Sequence, residues 1–226
     1  MNILDITIIL LLMLSVVVGY KKGVFKEVVL FAGTIIVYIV AFLLKDKIGI
    51  ILCKILPFFD IKGLVSLNIL IYQLIAFVLI AGLLFGVLAI ILKVTGILQK
   101  AADISIILSL PTKILGGVFG LINGYIVIFV ILLVCSIPFR NNEIFSSSYI
   151  NNKILKSTPI LTDSFGKVDD VILSVIKLQE KKNSMNSINI DLLNLYLEYD
   201  IIGENDLKEI IKTGKLNYID GIEKFK

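Results

Sequence analysis

The stretch that decides the fold is VVVGYKKGVFKEVVLF, Val16 to Phe31. It places three lysines and one glutamate between two apolar runs, with a glycine on each side of the first lysine pair. The glycines supply backbone freedom, and lysine side chains reach lipid headgroups at low cost. We therefore interpret GYKKG as a tight turn between two membrane-spanning helices, with the charges as interface anchors and Glu27 favourable to the helix dipole. The alternative is a functional cluster at the membrane surface.

Four segments of the chain, two of them flanking this turn, are apolar over about 20 residues. This length crosses a hydrocarbon core of about 30 Å. The first contains only Asp5 as a charge, near its start, and lacks the basic region and cleavage site of a signal peptide. It is therefore predicted to be a retained span. The predicted fold class is all-α, an integral membrane bundle of four transmembrane helices over residues 1–138. The predicted spans are residues 3–20, 24–44, 67–92 and 114–137.

The composition excludes several classes of protein. Hydrophobic residues make up 58% of the 226 positions and charged residues 18%. No dense basic patch points to nucleic acid. The absence of histidine removes the commonest general base and metal ligand. Cys53 and Cys135 lie far apart without a second cysteine nearby, so neither a zinc site nor a disulfide is predicted. We predict no catalytic residue, no cofactor and no metal.

Two connecting segments contain apolar runs that are too short to span. The segment 45–66 contains GIILCKILPFF flanked by lysines, which fits a short helix lying on the bilayer or a plain loop folded against the bundle. The segment 93–113, closed by Pro111, repeats the pattern and is predicted to be interfacial or re-entrant.

Small residues recur at helical spacing within the spans. In lipid, helices associate where small residues let backbones approach and where polar side chains hydrogen-bond across helices. We predict a packing role, within one bundle or between copies, with a pore-lining face as the alternative. The polar residues Gln73 and Thr34 are predicted to bond across helices. The residues predicted to pack are Gly19, Gly23, Gly82, Gly86, Gly116, Gly120, Gly124 and Asn123.

The polar C-terminal part divides into two segments. Residues 139–182 include an amphipathic helical pattern at 168–180. Residues 183–226 form a small extension of two or three predicted helices, with Asp191 as an N-cap and Gly203 and Gly214 as helix stops. This extension is predicted to dock on the membrane domain or on a partner.

Three stretches resemble the colicin V production protein family. They are MNILDITIILLLMLSVVVGYKKGVFKEV, with its early Asp and its Gly-Tyr-x-x-Gly-x-x-x-Glu pattern, KILGGVFGLINGYIVIFVILL, and the later Ser-Tyr…Thr-Pro-Ile-Leu passage. The resemblance covers residues 1–160 and implies a multipass membrane protein linked to bacteriocin production or export, without an established enzymatic activity. It says nothing of the C-terminal extension. The signature residues that carry over are Asp5, Gly19, Tyr20, Gly23, Glu27, Gly116, Gly120 and Gly124.

These observations favour a non-enzymatic accessory in bacteriocin or toxin production or export and in envelope maintenance. An oligomeric small channel or transporter is the alternative, and an intramembrane enzyme is the least favoured class. The expected partners are the lipid bilayer and either a second copy or another membrane protein, with no nucleic acid and no metal. The expected location is the bacterial cytoplasmic membrane. The lysines of the first turn place that turn inside and hence the C-terminal extension outside, although the count over all loops is nearly balanced.

Overall fold

The structure is a computed structural model that describes residues 2–61, 63–97, 109–139, 142–156 and 184–225. Within these ranges every regular element is helical. Four helices are long and apolar enough to cross a membrane, which confirms the predicted all-α class with four helices of spanning length. The elements in chain order are α1 (Ile3–Lys22), α2 (Val24–Ile55), α3 (Leu67–Thr95), α4 (Ser109–Phe139), α5 (Glu143–Ser146), α6 (Tyr149–Lys156), α7 (Met185–Glu198), α8 (Glu204–Lys212) and a 3-10 helix (Ile222–Phe225).

A single residue, Gly23, separates α1 from α2. The last turn of α1 carries Lys21 and Lys22, and the N–H of Gly23 donates to the carbonyl oxygen of Gly19 at 2.9 Å. Gly23 has φ 78°, a conformation that glycine adopts without a steric cost. The predicted turn is therefore present, but only one of its two glycines provides it, because Gly19 belongs to α1.

Helix α2 continues well past its predicted end at residue 44. Its 32 residues correspond to about 48 Å at 1.5 Å per residue, against a hydrocarbon core of about 30 Å. The prediction of an interfacial helix or a loop beginning at residue 45 is wrong, since residues 45–55 extend α2. Gly49 is accommodated inside the helix, and Pro57 is the first residue that cannot continue it.

Helices α3 and α4 are also longer than predicted. α3 continues to Thr95, and α4 begins at Ser109 rather than at residue 114. Pro111 lies in the first turn of α4, where its missing N–H breaks no intrahelical bond. Residues 98–108, and with them most of the predicted interfacial or re-entrant segment, lie outside the described residues.

The chain divides into two compact units. Unit 1 comprises Met1–Val40 and Ala81–Thr158, and unit 2 comprises Ala41–Ile80 and Pro159–Lys226. Unit 1 thus holds α1, α4, α5 and α6 with the first part of α2 and the second part of α3. Unit 2 holds the remaining parts of α2 and α3 with α7, α8 and the 3-10 helix.

The predicted division of the polar C-terminal part stays a prediction. The amphipathic pattern at 168–180 lies outside the described residues, as does most of the segment 139–182. The boundaries 1–138, 139–182 and 183–226 are therefore expectations about how the chain folds.

The C-terminal extension folds into short helices, as predicted, but their ends differ. Ser184 caps α7 by accepting from the N–H of Ser187, so Asp191 lies inside the helix and is not its N-cap. Gly203 is the N-cap of α8 and not a helix stop. Gly214 follows α8 with φ 77°, which confirms the predicted stop at that position.

Candidate functional site

Within unit 1, α1 and α4 lie in direct backbone contact through small residues. A Cβ added at Gly116 would lie 2.5 Å from the carbonyl oxygen of Gly19, and one at Gly120 would lie 2.5 Å from that of Ser15. A Cβ at Gly124 would overlap the Ser15 side chain. The structure therefore brings three of the signature glycines of α4 against the C-terminal half of α1, at a separation that no larger side chain permits.

Other residues predicted to pack are not brought together in this way. A Cβ at Gly82 or Gly86 would meet nothing within 4 Å, so packing of this pair stays a prediction for contacts between copies. The Thr34 hydroxyl donates to the carbonyl oxygen of Leu30 in its own helix at 2.9 Å. Tyr20 is exposed on α1.

The signature residue Glu27 is buried in unit 1. Only 3% of its surface is exposed. Its Oε1 accepts a hydrogen bond of 3.5 Å from the side-chain amide of Asn123. Its Oε2 lies 3.4 Å from Nζ of Lys22, an ion-pair distance that forms no hydrogen bond. Residues from α1, α2 and α4 thus meet around one carboxylate.

Two acceptor atoms at this point, Oε2 of Glu27 and Oδ1 of Asn123, have no hydrogen-bond partner within the part of the chain that the structure describes. The amide of Asn123 must turn its NH₂ to the carboxylate, since a carbonyl oxygen has no proton to donate there, and this directs Oδ1 elsewhere. A buried acceptor without a partner costs about 1–3 kcal/mol. Buried polar groups are normally hydrogen-bonded, so a donor group that entered here would satisfy these atoms.

Both residues line a groove of about 310 Å³ along α1 and α4. Lys22 and Ser15 share its polar end with Glu27 and Asn123. The rest of the lining is apolar, with Leu11 of α1 and Ile131 of α4 farthest from Lys22 along their helices. The groove therefore has a polar end beside the α1–α2 turn and an apolar remainder.

A second buried cluster in unit 1 surrounds Asp5, which is 1% exposed. Asn2 and Asp5 form a reciprocal capping box at the start of α1. The other oxygen of Asp5 accepts from the Ser148 hydroxyl at 2.5 Å and from the N–H of Ile150 at 3.0 Å. The carboxylate thus ties the first helix to the start of α6, and its partners satisfy both of its oxygens.

This cluster joins two of the stretches that resemble the family. Ser148 belongs to the Ser-Tyr passage, and Asp5 opens the first stretch. Asn2 adds a bond from its side-chain amide to the carbonyl oxygen of Ile144 at 2.5 Å. Neither Asn2 nor Ser148 was predicted as a site residue. The capping-box pattern could have indicated Asn2, whereas no local signal pairs Ser148 with a residue so far away in sequence.

In unit 2, the C-terminal extension docks on the ends of α2 and α3 through polar contacts that the sequence did not predict. Oδ1 of Asn189 accepts from the N–H of Ser66 at 2.9 Å, and its amide donates to the carbonyl oxygen of Gly63 at 2.7 Å. The side-chain amide of Gln73 donates to the carbonyl oxygen of Ile201 at 2.6 Å. Gln73 therefore binds the extension, whereas it was predicted to bond to another span.

Lys215 caps the C-terminal end of α2. Its Nζ donates to the carbonyl oxygens of Cys53, Lys54 and Leu56 at 2.7, 2.6 and 2.7 Å. Cys53 and Lys54 belong to the last turn of α2, where a helix lacks its own donors and where a cation is favoured by the dipole, and Leu56 follows the helix directly. Docking on the chain itself, one of the two predicted alternatives, is therefore what the described residues form.

An ion pair between Lys54 and Glu209 adds to this junction. The hydrogen bond from Lys54 and its charge lower the pKa of the Glu209 carboxyl below its ordinary value of 4.5. Both side chains are partly exposed, so the pair contributes little free energy of docking.

The described residues contain no group of three or more His, Cys, Asp or Glu side chains that could hold a metal ion. Cys53 and Cys135 are free thiols. The carboxylates of Asp5 and Glu27 belong to separate clusters, each with its own partners. The arrangement can bind a polar or charged group at the groove, and it holds helices together at Asp5.

A family model described as Colicin V production protein matches residues 4–159, a range that contains both buried carboxylates and the glycines of α1 and α4. No curated protein matches the chain significantly, and no solved structure does. The C-terminal extension lies beyond the matched range.

Proposed function

The chain belongs to the colicin V production protein family, and from this premise we propose that it acts as a non-enzymatic membrane accessory in the production or export of a bacteriocin or other toxin and in envelope maintenance. The expected setting is the cytoplasmic membrane of a bacterium. The membrane-spanning part would form the scaffold, and the C-terminal extension would be its solvent-exposed module.

This proposal rests on the contacts that the signature residues make within the chain. Gly19, Gly116 and Gly120 place two backbones in contact, and Asp5 binds a hydroxyl and backbone N–H groups of its own chain. Residues used in this way build a fixed helix arrangement. A catalyst would instead need a nucleophile or a general base aimed at a substrate, and Asp5 has no oxygen left for that role.

The proposal is tested by deleting the gene in the bacterium that encodes the chain and measuring toxin activity in the medium and in cell lysates. We expect activity in the medium to fall while activity in the lysate persists. The wild-type gene should restore release. The variant Gly116→Val should not, because its side chain would separate α1 from α4, whereas Gly82→Val has open space and should restore it. Unchanged release after deletion would contradict the accessory role.

A second candidate is a small oligomeric channel or transporter. The observation in its favour is the open space beside Gly82 and Gly86 on α3, which leaves a face of small residues for contact with another copy. Vesicles containing the purified chain should then conduct ions or release a trapped dye. Flux that disappears in Gly86→Trp vesicles, with equal protein content, would favour this function over the accessory role.

The orientation is also a proposal. We infer that the α1–α2 turn lies in the cytoplasm and the C-terminal extension outside, because Lys21, Lys22 and Lys26 cluster at that turn. A reporter fused after Lys226 should be accessible in intact cells. A protected reporter would place the turn outside and the extension in the cytoplasm.

A further inference from the structure

Among the described residues, two acceptor atoms at the polar end of the groove in unit 1 have no hydrogen-bond partner. Oε2 of Glu27 and Oδ1 of Asn123 are buried acceptors without a partner, and both residues line the groove. Lys22 is the nearest cation, but its Nζ makes no hydrogen bond to Oε2 at 3.4 Å. A ligand that offers two N–H or O–H donors would satisfy both atoms.

The apolar part of the groove indicates what kind of molecule would present the donor group. Leu11, Leu14 and Val18 line it on α1, and Val127 and Ile131 line it on α4. From Lys22 to Leu11 it follows α1 for about 16 Å at 1.5 Å per residue. A ligand that fills it has a polar head and a long apolar chain, which is the shape of a membrane lipid.

The charges at the polar end of the groove favour one class of lipid headgroup. Glu27 and Lys22 bear opposite charges beside one another. A headgroup that carries both an ammonium and a phosphate can place the ammonium on the carboxylate and the phosphate toward the lysine, so that every charge has an opposite neighbour. A purely anionic headgroup would leave one negative charge in excess. A quaternary ammonium has no N–H to offer to the two acceptors.

We propose that this groove binds one phospholipid of the phosphatidylethanolamine class, with its primary ammonium donating to Glu27 and Asn123 and one acyl chain lying along the groove that α1 and α4 form. The polar end stands beside the α1–α2 turn, which the lysines predict to lie at the level of the headgroups. The lipid thus completes the hydrogen bonding of a signature residue.

The test is a comparison of lipids that differ only in N-methylation. The purified full-length chain in a mild detergent is titrated with dioleoyl phosphatidylethanolamine, its N,N-dimethyl derivative and dioleoyl phosphatidylcholine, and the bound lipid is counted by native mass spectrometry. Affinity should fall along the series, with the quaternary lipid binding about tenfold more weakly, the loss expected for a charge-assisted hydrogen bond. Equal affinities for the three lipids would overturn the proposal.

Variants locate the site. Glu27→Gln should abolish the preference for the primary ammonium, while Glu143→Gln, a change at an exposed acid of α5, should keep it. A preference that survives in Glu27→Gln overturns the assignment to this groove. Dioleoyl phosphatidylglycerol, whose headgroup offers hydroxyl donors, should bind more weakly than phosphatidylethanolamine. Equal binding of the two lipids would overturn the assignment of the ammonium as the donor group. The methylation series uses the wild-type chain, so it decides the question even if a variant does not fold.

Discussion

Replacing Lys215 by methionine should release the C-terminal extension from the end of α2. Methionine keeps a long apolar side chain but removes the three donors that bond to the carbonyl oxygens of Cys53, Lys54 and Leu56. A hydrogen bond involving a charged group contributes about 1.5–3 kcal/mol, and a cation at a helix C-terminus about 0.3–1 kcal/mol. Because these bonds are only partly buried and not additive, we expect a loss of about 2 kcal/mol in docking free energy.

The thiol of Cys53 reports this change directly. It is fully buried at the junction, and Cys135 is the only other cysteine, so a Cys135→Ala background leaves a single thiol. Maleimide labelling of that thiol in native membranes then measures how often the extension opens. A loss of about 2 kcal/mol corresponds to labelling about 30-fold faster.

The control is Lys208→Met, which removes an exposed lysine of α8 with the same change in charge. Its labelling rate should match that of the parent. If Lys215→Met labelled no faster than Lys208→Met, the last carbonyls of α2 would not depend on Lys215, and the assignment of this residue as a helix cap would be wrong.

Three further predictions concern the other clusters. Gly116→Ala should lower the stability of the purified chain by about 1–3 kcal/mol, because its Cβ would lie 2.5 Å from a backbone oxygen of α1. Gly82→Ala has open space around the new Cβ and should be neutral or stabilising by up to about 1 kcal/mol. Thermal unfolding in detergent compares the two variants. Ser148→Ala should cost about 1–3 kcal/mol in the same assay, since the buried oxygen of Asp5 loses its hydroxyl donor, and an unchanged midpoint would contradict that contact. The Glu209 carboxyl should titrate below 4.5 by NMR and return toward that value when its lysine partner becomes methionine. Its folded pKa is lowered, so its contribution to docking is present above the unfolded pKa and is lost as the pH falls through the folded one.

The class of the fold follows from local sequence, because membrane spans are set by apolar length alone. Their ends do not follow as well. The predicted second span ends at residue 44, directly before the charges of Lys45, Asp46 and Lys47, whereas α2 continues to Ile55. A helix does not need lipid to continue, and the C-terminal extension packs around its last turns. Contacts between residues more than 100 positions apart decide this, and no local pattern encodes them.

The same limit applies to the sites. The spacing of Gly116 and Gly120 predicted close packing, but the partner helix could not be read from one sequence. The position of Glu27 in the first turn of α2 predicts a favourable interaction with the helix dipole. That interaction is compatible with a buried or an exposed side chain. Its burial depends on Asn123 and Lys22, which come from two other helices. Local position therefore identified the residue but not its surroundings.

The bond between Asp5 and Ser148 has a consequence for biosynthesis. The two residues are 143 positions apart, and a chain emerges from the ribosome at about 5–20 residues per second with its N-terminal part first. The first helix is therefore made many seconds before the hydroxyl that its carboxylate needs. During that interval the carboxylate must stay hydrated or be shielded by the insertion machinery. A nascent chain that terminates before residue 148 lacks the hydroxyl and the N–H that bind the second oxygen of Asp5, which distinguishes an unfinished product from a complete one.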